Sequence, residues 1–362
     1  MKNKAIKSIG VLTLASLMTT TSFSQVTVSG YSEVGFLTGG ADGTRSTVNS
    51  KGLGAETVIT IAGKGTLTNG WTYSAYQNLD SDDDKNGRNT ANVGPMTTRA
   101  IELSPSKDFK FFYTFDGVYG GEIARTAVPT VTERVADMTG NASISEFIDV
   151  TSGTHAVGVE ALNLGPAGRL SVAYASNLDS QPQASSDRSY SGTGQTNYAN
   201  PGSGYSIGYT VTPGPIKIAA GITKIDQKQS ATAQDATSKT LGVQYIASSF
   251  AVGAQRTKNE GLKAALETAS SFDDDVDTFA ASYAVNKEIT IGGSYSKMER
   301  SGAVVTTPGP DLKVYQAVIA YNLGPVVASI AYEDAQNRAF SNAATISGMD
   351  AQTTKIKVKA NF

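Results

Sequence analysis

The stretch TTKIKVKANF, residues 353–362, alternates apolar and polar side chains. Its apolar positions are Ile356, Val358, Ala360 and Phe362, and the polar positions between them are Lys355, Lys357, Lys359 and Asn361. Because successive side chains of a β-strand point to opposite faces, this strand has one apolar face and one strongly polar face. It therefore lies at a boundary between an apolar medium and a wet one, which either a soluble sheet or a membrane barrel supplies.

The amino terminus has the layout of a secretory signal peptide. Lys2, Lys4 and Lys7 precede the apolar run IGVLTLASLM, and the small residues Ser22 and Ser24 follow it. The pattern predicts a signal peptide over residues 1–24 and a mature domain over residues 25–362. No later stretch reaches the roughly 18 unbroken apolar residues of a membrane helix, so a chain that enters a membrane must do so as a closed barrel.

Composition excludes several classes of protein. The chain has no cysteine, so disulfides do not stabilise it despite the predicted export. Removing the three signal lysines from 30 basic residues leaves 27 against 32 acidic ones, a formal charge of −5. A nucleic-acid partner would require a basic face, and none is indicated. A hydrophobic content of 40% is ordinary for a barrel whose inner face is polar.

Pairs of alternating segments joined by very short turns recur along the chain and predict seven hairpins. The predicted turns lie at Asn69-Gly70, Ser104 to Asp108, Asn163 to Gly168, Pro213 to Pro215, Ser248-Ser249, Asn286-Lys287 and Gly324-Pro325. With one strand at each end of the mature chain, the count is sixteen. An even number is what bacterial single-chain barrels require.

The connections between the hairpins are much longer and more polar than the turns. Short turns that alternate with long loops are typical of outer-membrane barrels, and a soluble sandwich has no reason to sort its loops in this way. The fold class predicted is all-β: a single sixteen-stranded antiparallel transmembrane β-barrel. Tyrosines near strand ends agree with this, since tyrosine favours the boundary between water and lipid.

The longest connection, residues 118–153, carries a helical signal. Thr130 and Glu133 have the spacing of a capping box, and Gly140 is a plausible stop, so a short helix is predicted from Val131 to Met138. An ordered connection of this length after the fifth strand needs a surface to pack on, and the interior of a wide barrel offers one.

In the order of these features the chain resembles the general porins of Gram-negative outer membranes. The resemblance covers the whole mature chain: a signal peptide, the opening strand VTVSGYSEVGF, sixteen strands, a long third loop and Phe362 at the end. It implies a third loop that folds inward and narrows the channel. It also implies a homotrimer, contact with outer-membrane lipid and lipopolysaccharide, and recognition of Phe362 by the barrel-assembly machinery.

The resemblance further implies a constriction in which loop carboxylates face basic side chains of the wall. The carboxylates would be Glu122, Glu133 and Asp137, with Glu146 and Asp149 as further candidates, and the wall would carry Lys51, Arg99 and His155. His155 stands where the family has an arginine, so this wall is less basic. Strand parity also puts Arg99 and Glu102 on opposite faces unless a bulge intervenes.

Three further patterns have both a functional and a purely structural interpretation. The run DSDDDKNGRN lacks the glycine and glutamate of a calcium loop, so a solvated external loop is favoured over a metal site. His155 is the one histidine of the chain, and a hydrolase built on it would need a nucleophile that the sequence does not place. Lys355, Lys357 and Lys359 are expected to face the lumen, because a charge on the lipid face costs about 2 to 4 kcal/mol at the midplane.

These observations predict a water-filled channel for passive diffusion of small hydrophilic solutes and ions, without catalysis or a cofactor. A negative total charge and few wall arginines favour a mild preference for cations. Two alternatives stay open: a solute-specific channel with a binding ladder, and a barrel enzyme or adhesin that conducts little.

Overall fold

The computed structural model describes residues 25–41, 51–83, 96–131, 147–151, 155–176, 203–226, 235–263, 271–302, 311–337 and 350–362. Residues 1–24, where a signal peptide is predicted, lie outside these ranges, as do most residues of the long polar connections. Sixteen strands are present in the described ranges. They are β1 (Gln25–Ala41), β2 (Lys51–Thr66), β3 (Thr72–Asp83), β4 (Met96–Ser106), β5 (Phe109–Phe115), β6 (His155–Ala161), β7 (Arg169–Ala175), β8 (Gly204–Val211), β9 (Ile216–Ile225), β10 (Ala236–Ile246), β11 (Phe250–Lys263), β12 (Ser271–Ala284), β13 (Ile289–Gly302), β14 (Leu312–Asn322), β15 (Val326–Gln336) and β16 (Ala351–Asn361).

The strands form one closed antiparallel barrel in which each strand pairs with its neighbours in sequence. The barrel closes where β1 pairs with β16, from Tyr31 opposite Asn361 to Ala41 opposite Ala351. Gly30 and Phe362 extend this closure, each donating its backbone N–H to the other's carbonyl at 2.9 and 3.0 Å. Closure leaves no unpaired sheet edge, so the predicted sixteen-stranded fold is confirmed.

All seven predicted turns join consecutive strands at one end of the barrel. The connection from β14 to β15 spans Leu323 to Pro325, and the one from β8 to β9 spans Thr212 to Pro215. A short 3₁₀ turn at Gly165–Ala167 joins β6 to β7. Because the short turns lie at one end, the long connections all emerge at the other.

The two faces of the wall differ as the closing strand predicts. Ile356 and Val358 of β16 are 45% and 47% exposed, whereas Lys357 between them is only 4% exposed. The exposed side chains of the other strands repeat this pattern, with leucine, isoleucine, valine and aromatic residues on one face. The apolar face is the outer, lipid-facing one, so Lys355, Lys357 and Lys359 face the lumen as expected.

Most of the outward tyrosines lie near strand ends. The exposed ones are Tyr174, Tyr205, Tyr245, Tyr283, Tyr315, Tyr321 and Tyr332. Tyr76 of β3 differs from them, because it lies opposite Ala100 on the inner face and packs beside Phe112 and Tyr119. Within the described ranges, no helix is both long enough and apolar enough to cross a membrane.

Candidate functional site

The connection between β5 and β6 begins with a 3₁₀ helix, Gly120–Ala127, called the loop helix below. It packs against the inner face of the barrel wall and contacts β7, β8, β9, β10 and β11. The N–H of Gly120 donates to Ser171 Oγ at 2.8 Å, and the N–H of Gly121 donates to Ser206 Oγ at 3.1 Å. Both serines are fully buried. Inward serine hydroxyls thus satisfy the backbone donors at the start of the loop helix.

Glycines on the inner face form a shallow groove for the loop helix. This glycine groove comprises Gly208, Gly221, Gly242 and Gly253, one each on β8 to β11. A Cβ on Gly208 would lie 2.1 Å from the carbonyl oxygen of Gly120, and a Cβ on Gly253 would lie 2.3 Å from that of Ala127. A side chain at either position would therefore push the loop helix off the wall.

After the loop helix the chain leaves the glycine groove and packs against other strands of the inner face. Val128 is 2% exposed and forms one apolar cluster with Ala280 of β12, Val318 of β14 and Ala331 of β15. These three positions belong to the inner face. The loop helix therefore lies along the inner surface from β7 to β11, and Val128 after it joins an apolar cluster with inner-face residues of β12, β14 and β15.

The returning part of the connection, residues 147–151, is fixed beside the loop helix. The N–H of Ile148 donates to Ser238 Oγ of β10 at 3.1 Å. Asp149 accepts from the N–H of Glu122 at 2.8 Å and from the hydroxyl of Thr151 at 2.9 Å, both through Oδ2. One carboxylate thereby ties the outgoing segment to the returning one.

Asp149 lies close to a second carboxylate, that of Glu122. Burial, followed by repulsion from Glu122, raises the pKa of Asp149 from 3.8 to about 6, and the hydrogen bonds that it accepts act against this rise. Glu122 Oε1 itself accepts from Arg125 Nη1 at 2.9 Å, an ion pair between residues three apart on the loop helix. The loop helix therefore places an acidic and a basic group at the wall together.

The start of the connection is anchored by Tyr119. Its ring stacks on Phe112 of β5 with centroids 4.1 Å apart, and its hydroxyl donates to Glu102 Oε1 of β4 at 2.8 Å. Burial, followed by the neighbouring Tyr76 and Glu102, raises the pKa of the Tyr119 hydroxyl well above its ordinary value. Tyr119 therefore stays a neutral donor, and it fixes the point at which the chain turns away from β5.

A row of alternating charges runs along the inner wall near the short turns. Lys110 Nζ of β5 lies 2.6 Å from Glu102 of β4 and 3.0 Å from Glu160 of β6. Glu160 also pairs with Arg169 of β7, and its side chain is fully buried between the two cations. Neighbouring charges compensate one another here, as a buried ion pair requires.

A second charged surface, made of β16, β1 and β2, lies outside the reach of the described loop segments. Lys357 and Lys359 share the carboxylate of Glu33, with Nζ to Oε2 distances of 3.2 and 4.0 Å. Tyr31 donates to Glu56 at 2.5 Å, and Lys359 Nζ lies 3.3 Å from the centroid of the Tyr31 ring. Charges therefore line the inner face on this side as well as on the side of the loop helix.

Of the carboxylates expected at the constriction, Glu122 and the further candidate Asp149 come together on the inner wall. Glu133, Asp137 and Glu146, together with most of the helix predicted from Val131 to Met138, lie outside the described residues. The described helix of this connection is the earlier Gly120–Ala127, which no capping pattern indicated.

Arg99 and His155, the basic residues expected opposite the loop carboxylates, lie on the outer face of the barrel. Arg99 pairs with Phe115, and Phe115 pairs with His155. Arg99 is two residues from the outward Ile101, and His155 is two residues from the outward Val157, so both lie on the outer face. The Arg99 guanidinium lies 4.9 Å from the Phe115 ring centroid, and Tyr113 Oη lies 2.6 Å from His155 Nδ1. No bulge separates Arg99 from Glu102 in the β4–β5 pairing, so their side chains point to opposite faces of the wall. This corrects the expected inner-wall position of Arg99 and His155.

Lys51, the remaining expected wall residue, is the first residue of β2. Its backbone pairs with Thr38. It lies two residues before the outward-facing Leu53 and therefore has the same strand parity. Its side chain lies outside what the structure describes.

The cations that do line the inner wall include Lys110, Arg169 and Lys217, which sequence reasoning missed. A usable signal was present, because Lys110 lies between Phe109 and Phe111, and Lys217 lies between Ile216 and Ile218. A charge flanked by two large apolar residues on a barrel strand points inward, as it does in TTKIKVKANF. Within the described ranges, no group of three or more histidine and carboxylate residues could hold a metal ion.

Comparison with known proteins adds a family. A sequence model described as Gram-negative porin matches residues 11–339. No curated protein matches the chain significantly. A multiply substituted mutant of the Rh. blastica porin is 15% identical with a TM-score of 0.61, over 93% of this chain and 100% of its own. The anion-selective porin from Comamonas acidovorans is 13% identical with a TM-score of 0.60, over 94% and 100%.

At such low identities the two solved structures show a shared fold alone. The family match is independent of them and spans most of the chain. Given this match and the closed sixteen-stranded barrel, the chain belongs to the Gram-negative porins, a family of outer-membrane channels.

Proposed function

We propose that this protein is a passive channel for small hydrophilic solutes and ions, narrowed by an inward-folded third loop and mildly selective for cations. The observation that carries the proposal is the packing of Gly120 to Val128 along the polar inner face of a closed barrel. A connection held there reduces the open cross-section without filling it, since the charged surface around Glu33 lies outside its described contacts.

The proposed cation preference rests on the acidity of this loop. Glu122 and Asp149 lie on the inner wall, and Glu133, Asp137 and Glu146 belong to the same connection, whose basic residues are Arg125 and Arg134. We propose Glu122, Glu133 and Asp137 as constriction carboxylates. Lysines of the inner wall oppose these carboxylates, so the electric field runs across the channel. The opposing charges also keep the net preference for cations over anions small. The proposed constriction includes neither Arg99 nor His155.

Single-channel recording in a planar bilayer tests this proposal. The refolded protein should give stable conductance steps in potassium chloride, and a salt gradient should give a reversal potential of cation-selective sign. Absence of conductance from folded protein would overturn the channel, whereas an anion-selective sign would overturn only the cation preference. No catalytic step or cofactor enters the proposal.

Export and assembly are also proposed. Residues 1–24 would be removed as a signal peptide, and the barrel-assembly machinery would bind Phe362, whose side chain is 61% exposed. Mass spectrometry of the mature protein checks the cleavage. Changing Phe362 to alanine should lower the amount of folded barrel in the outer membrane.

The proposed homotrimer would use the outer face of β1 and β2. Exposed apolar side chains cover this face, among them Val34, Phe36 and Leu53, the last of which is 75% exposed. The outward tyrosines that are more than 40% exposed, which favour lipid headgroups, occur instead on β7 to β15. Native mass spectrometry in detergent tests the subunit number.

Lipopolysaccharide is proposed to contact the outer face of β10 to β14 at the end that bears the long connections. Lys239 and Lys297 lie there, each with a carboxylate at 3.0 Å, from Glu260 and Asp311 respectively. Lysines at this level meet the phosphates of the outer leaflet, beyond the apolar band.

A further inference from the structure

A recess of about 610 Å³ opens beneath the loop helix, on the side of the short turns. The connection contributes Glu122, Arg125 and Val128 to its lining, and the wall contributes Lys217, Gln244 and Ile246. Ligand-binding pockets of proteins commonly have volumes of about 300 to 1,000 Å³. The recess is therefore large enough to hold a small solute beside the path through the barrel.

Among the described residues, Lys217 is the charged group of the recess that no carboxylate pairs with. The other two ionisable residues named, Glu122 and Arg125, pair with each other at 2.9 Å. Among the residues that the structure describes, no carboxylate lies within 4.0 Å of Lys217 Nζ. Its electrostatic neighbour is instead Arg169, which repels it. A half-buried lysine in this position attracts an anion from solution.

The remaining lining suits the body of an organic acid. Val128 is buried against the inner wall, and Ile246 presents an apolar side chain that is 41% exposed. Gln244 is 7% exposed and adds an amide that can donate to an oxygen atom. Apart from the mutually paired Glu122 and Arg125, the recess thus presents the cation Lys217 and apolar groups, a combination that favours an amphipathic anion over chloride.

We propose that this recess is a binding subsite for a small organic acid, with the carboxylate at Lys217 and a compact apolar body against Val128 and Ile246. The inference rests on the proposed channel and makes it selective for one solute class. Carboxylate solutes would pause beneath the loop helix, although small cations still pass more readily overall.

Single-channel recording with sodium benzoate as the probe tests the subsite. Added benzoate should reduce the ion current of the wild-type channel in a saturable manner, whereas benzamide, which has the same shape without the charge, should not. In Lys217→Gln the apparent dissociation constant for benzoate should rise about fivefold, the order of one charge interaction in a partly solvated site. Lys217→Arg, which keeps the charge, should retain the block.

Lys355→Gln is the matched control. Lys355 also faces the lumen, on β16, but it is not part of the recess, so this change removes the same charge from the same channel. Its benzoate block should stay within about twofold of the wild-type value.

The outcomes separate the subsite from the channel. Equal block by benzoate and benzamide, or equal weakening in Lys217→Gln and Lys355→Gln, would overturn the subsite while the conductance steps still support the channel. Failure of folded wild-type protein to conduct at all would overturn the proposed function itself.

Discussion

Two sectors of the inner face carry different side chains, although both belong to one sheet. The loop-bearing sector, β7 to β11, is lined by glycine, alanine and serine where the loop helix lies. The open sector, β16 to β2, presents Lys357, Lys359, Glu33 and Glu56. Small side chains let a backbone approach the wall within hydrogen-bond distance, whereas long charged ones hold it away and stay hydrated. The loop helix therefore lies on the sector whose small side chains leave room for its backbone.

The largest effect is expected from a bulky residue in the glycine groove. Gly208→Leu places side-chain atoms where the Gly120 carbonyl now lies, and overpacking of this kind costs about 3 kcal/mol at its upper end. The loop helix should leave the wall, and single-channel conductance should become larger or strongly fluctuating. Gly35→Leu is the control, because a Cβ there meets only the Ile356 carbonyl oxygen at 3.6 Å. Unchanged conductance in Gly208→Leu would contradict the docked loop.

A smaller effect is expected at the start of the connection. Tyr119→Phe keeps the stacking on Phe112 but removes the hydrogen bond to Glu102. A hydrogen bond to a charged group contributes about 1.5 to 3 kcal/mol. The unfolding midpoint in denaturant should fall, and current noise from loop motion should rise. Tyr315→Phe, on the exposed outer face, should change neither, and equal effects of the two variants would contradict the anchoring role.

In the open sector, Glu33→Gln should cost less stability, about 1 kcal/mol, because the glutamine amide oxygen can still accept a hydrogen bond from Lys357 Nζ and only the ionic part of the interaction is lost. Its larger consequence is electrostatic. The reversal potential should move toward anions, since Lys357 and Lys359 lose their shared carboxylate. Glu299→Gln, an exposed outward change of the same charge, is the control, and an equal shift there would show that total charge rather than position matters.

The smallest effect is a pH dependence from the loop-bearing sector. Folding raises the pKa of Asp149 from 3.8 to about 6, so its stabilising contribution is complete below pH 3.8 and is lost as the pH rises through 6. Between pH 8 and pH 5 the loop should therefore dock more firmly, and one negative charge beside Glu122 should disappear. Cation preference should decrease with a midpoint near pH 6.

Two variants assign this titration. Asp149→Asn should abolish the step near pH 6, since the amide does not ionise in this range. His155→Gln should leave it, because His155 lies on the outer face, away from Asp149. A step that survives Asp149→Asn and vanishes in His155→Gln would reverse the assignment.

Sequence patterns predicted the strands and turns correctly because period-two alternation and glycine-proline turns are local signals. The closing stretch at 353–362 shows this, since its parity alone placed Lys357 inward and Ile356 outward. Parity also raised the conflict between Arg99 and Glu102, which the register resolved in favour of Glu102 as the inward residue. The glycine groove gave no such signal, because each of its four members reads as an ordinary weak strand residue until the strands lie side by side.

The amino-acid sequence by itself determined the class of fold, the number of strands, the two faces of the closing strand and the end at which the long connections emerge. These follow from local backbone geometry and from the cost of exposing polar groups to lipid. Only the tertiary structure decided that Gly208 lies against Gly120, that Asp149 meets Glu122, and that Lys217 lines a recess in which no described carboxylate pairs with it. Such contacts join residues far apart in sequence, and the closure of the barrel brings them together.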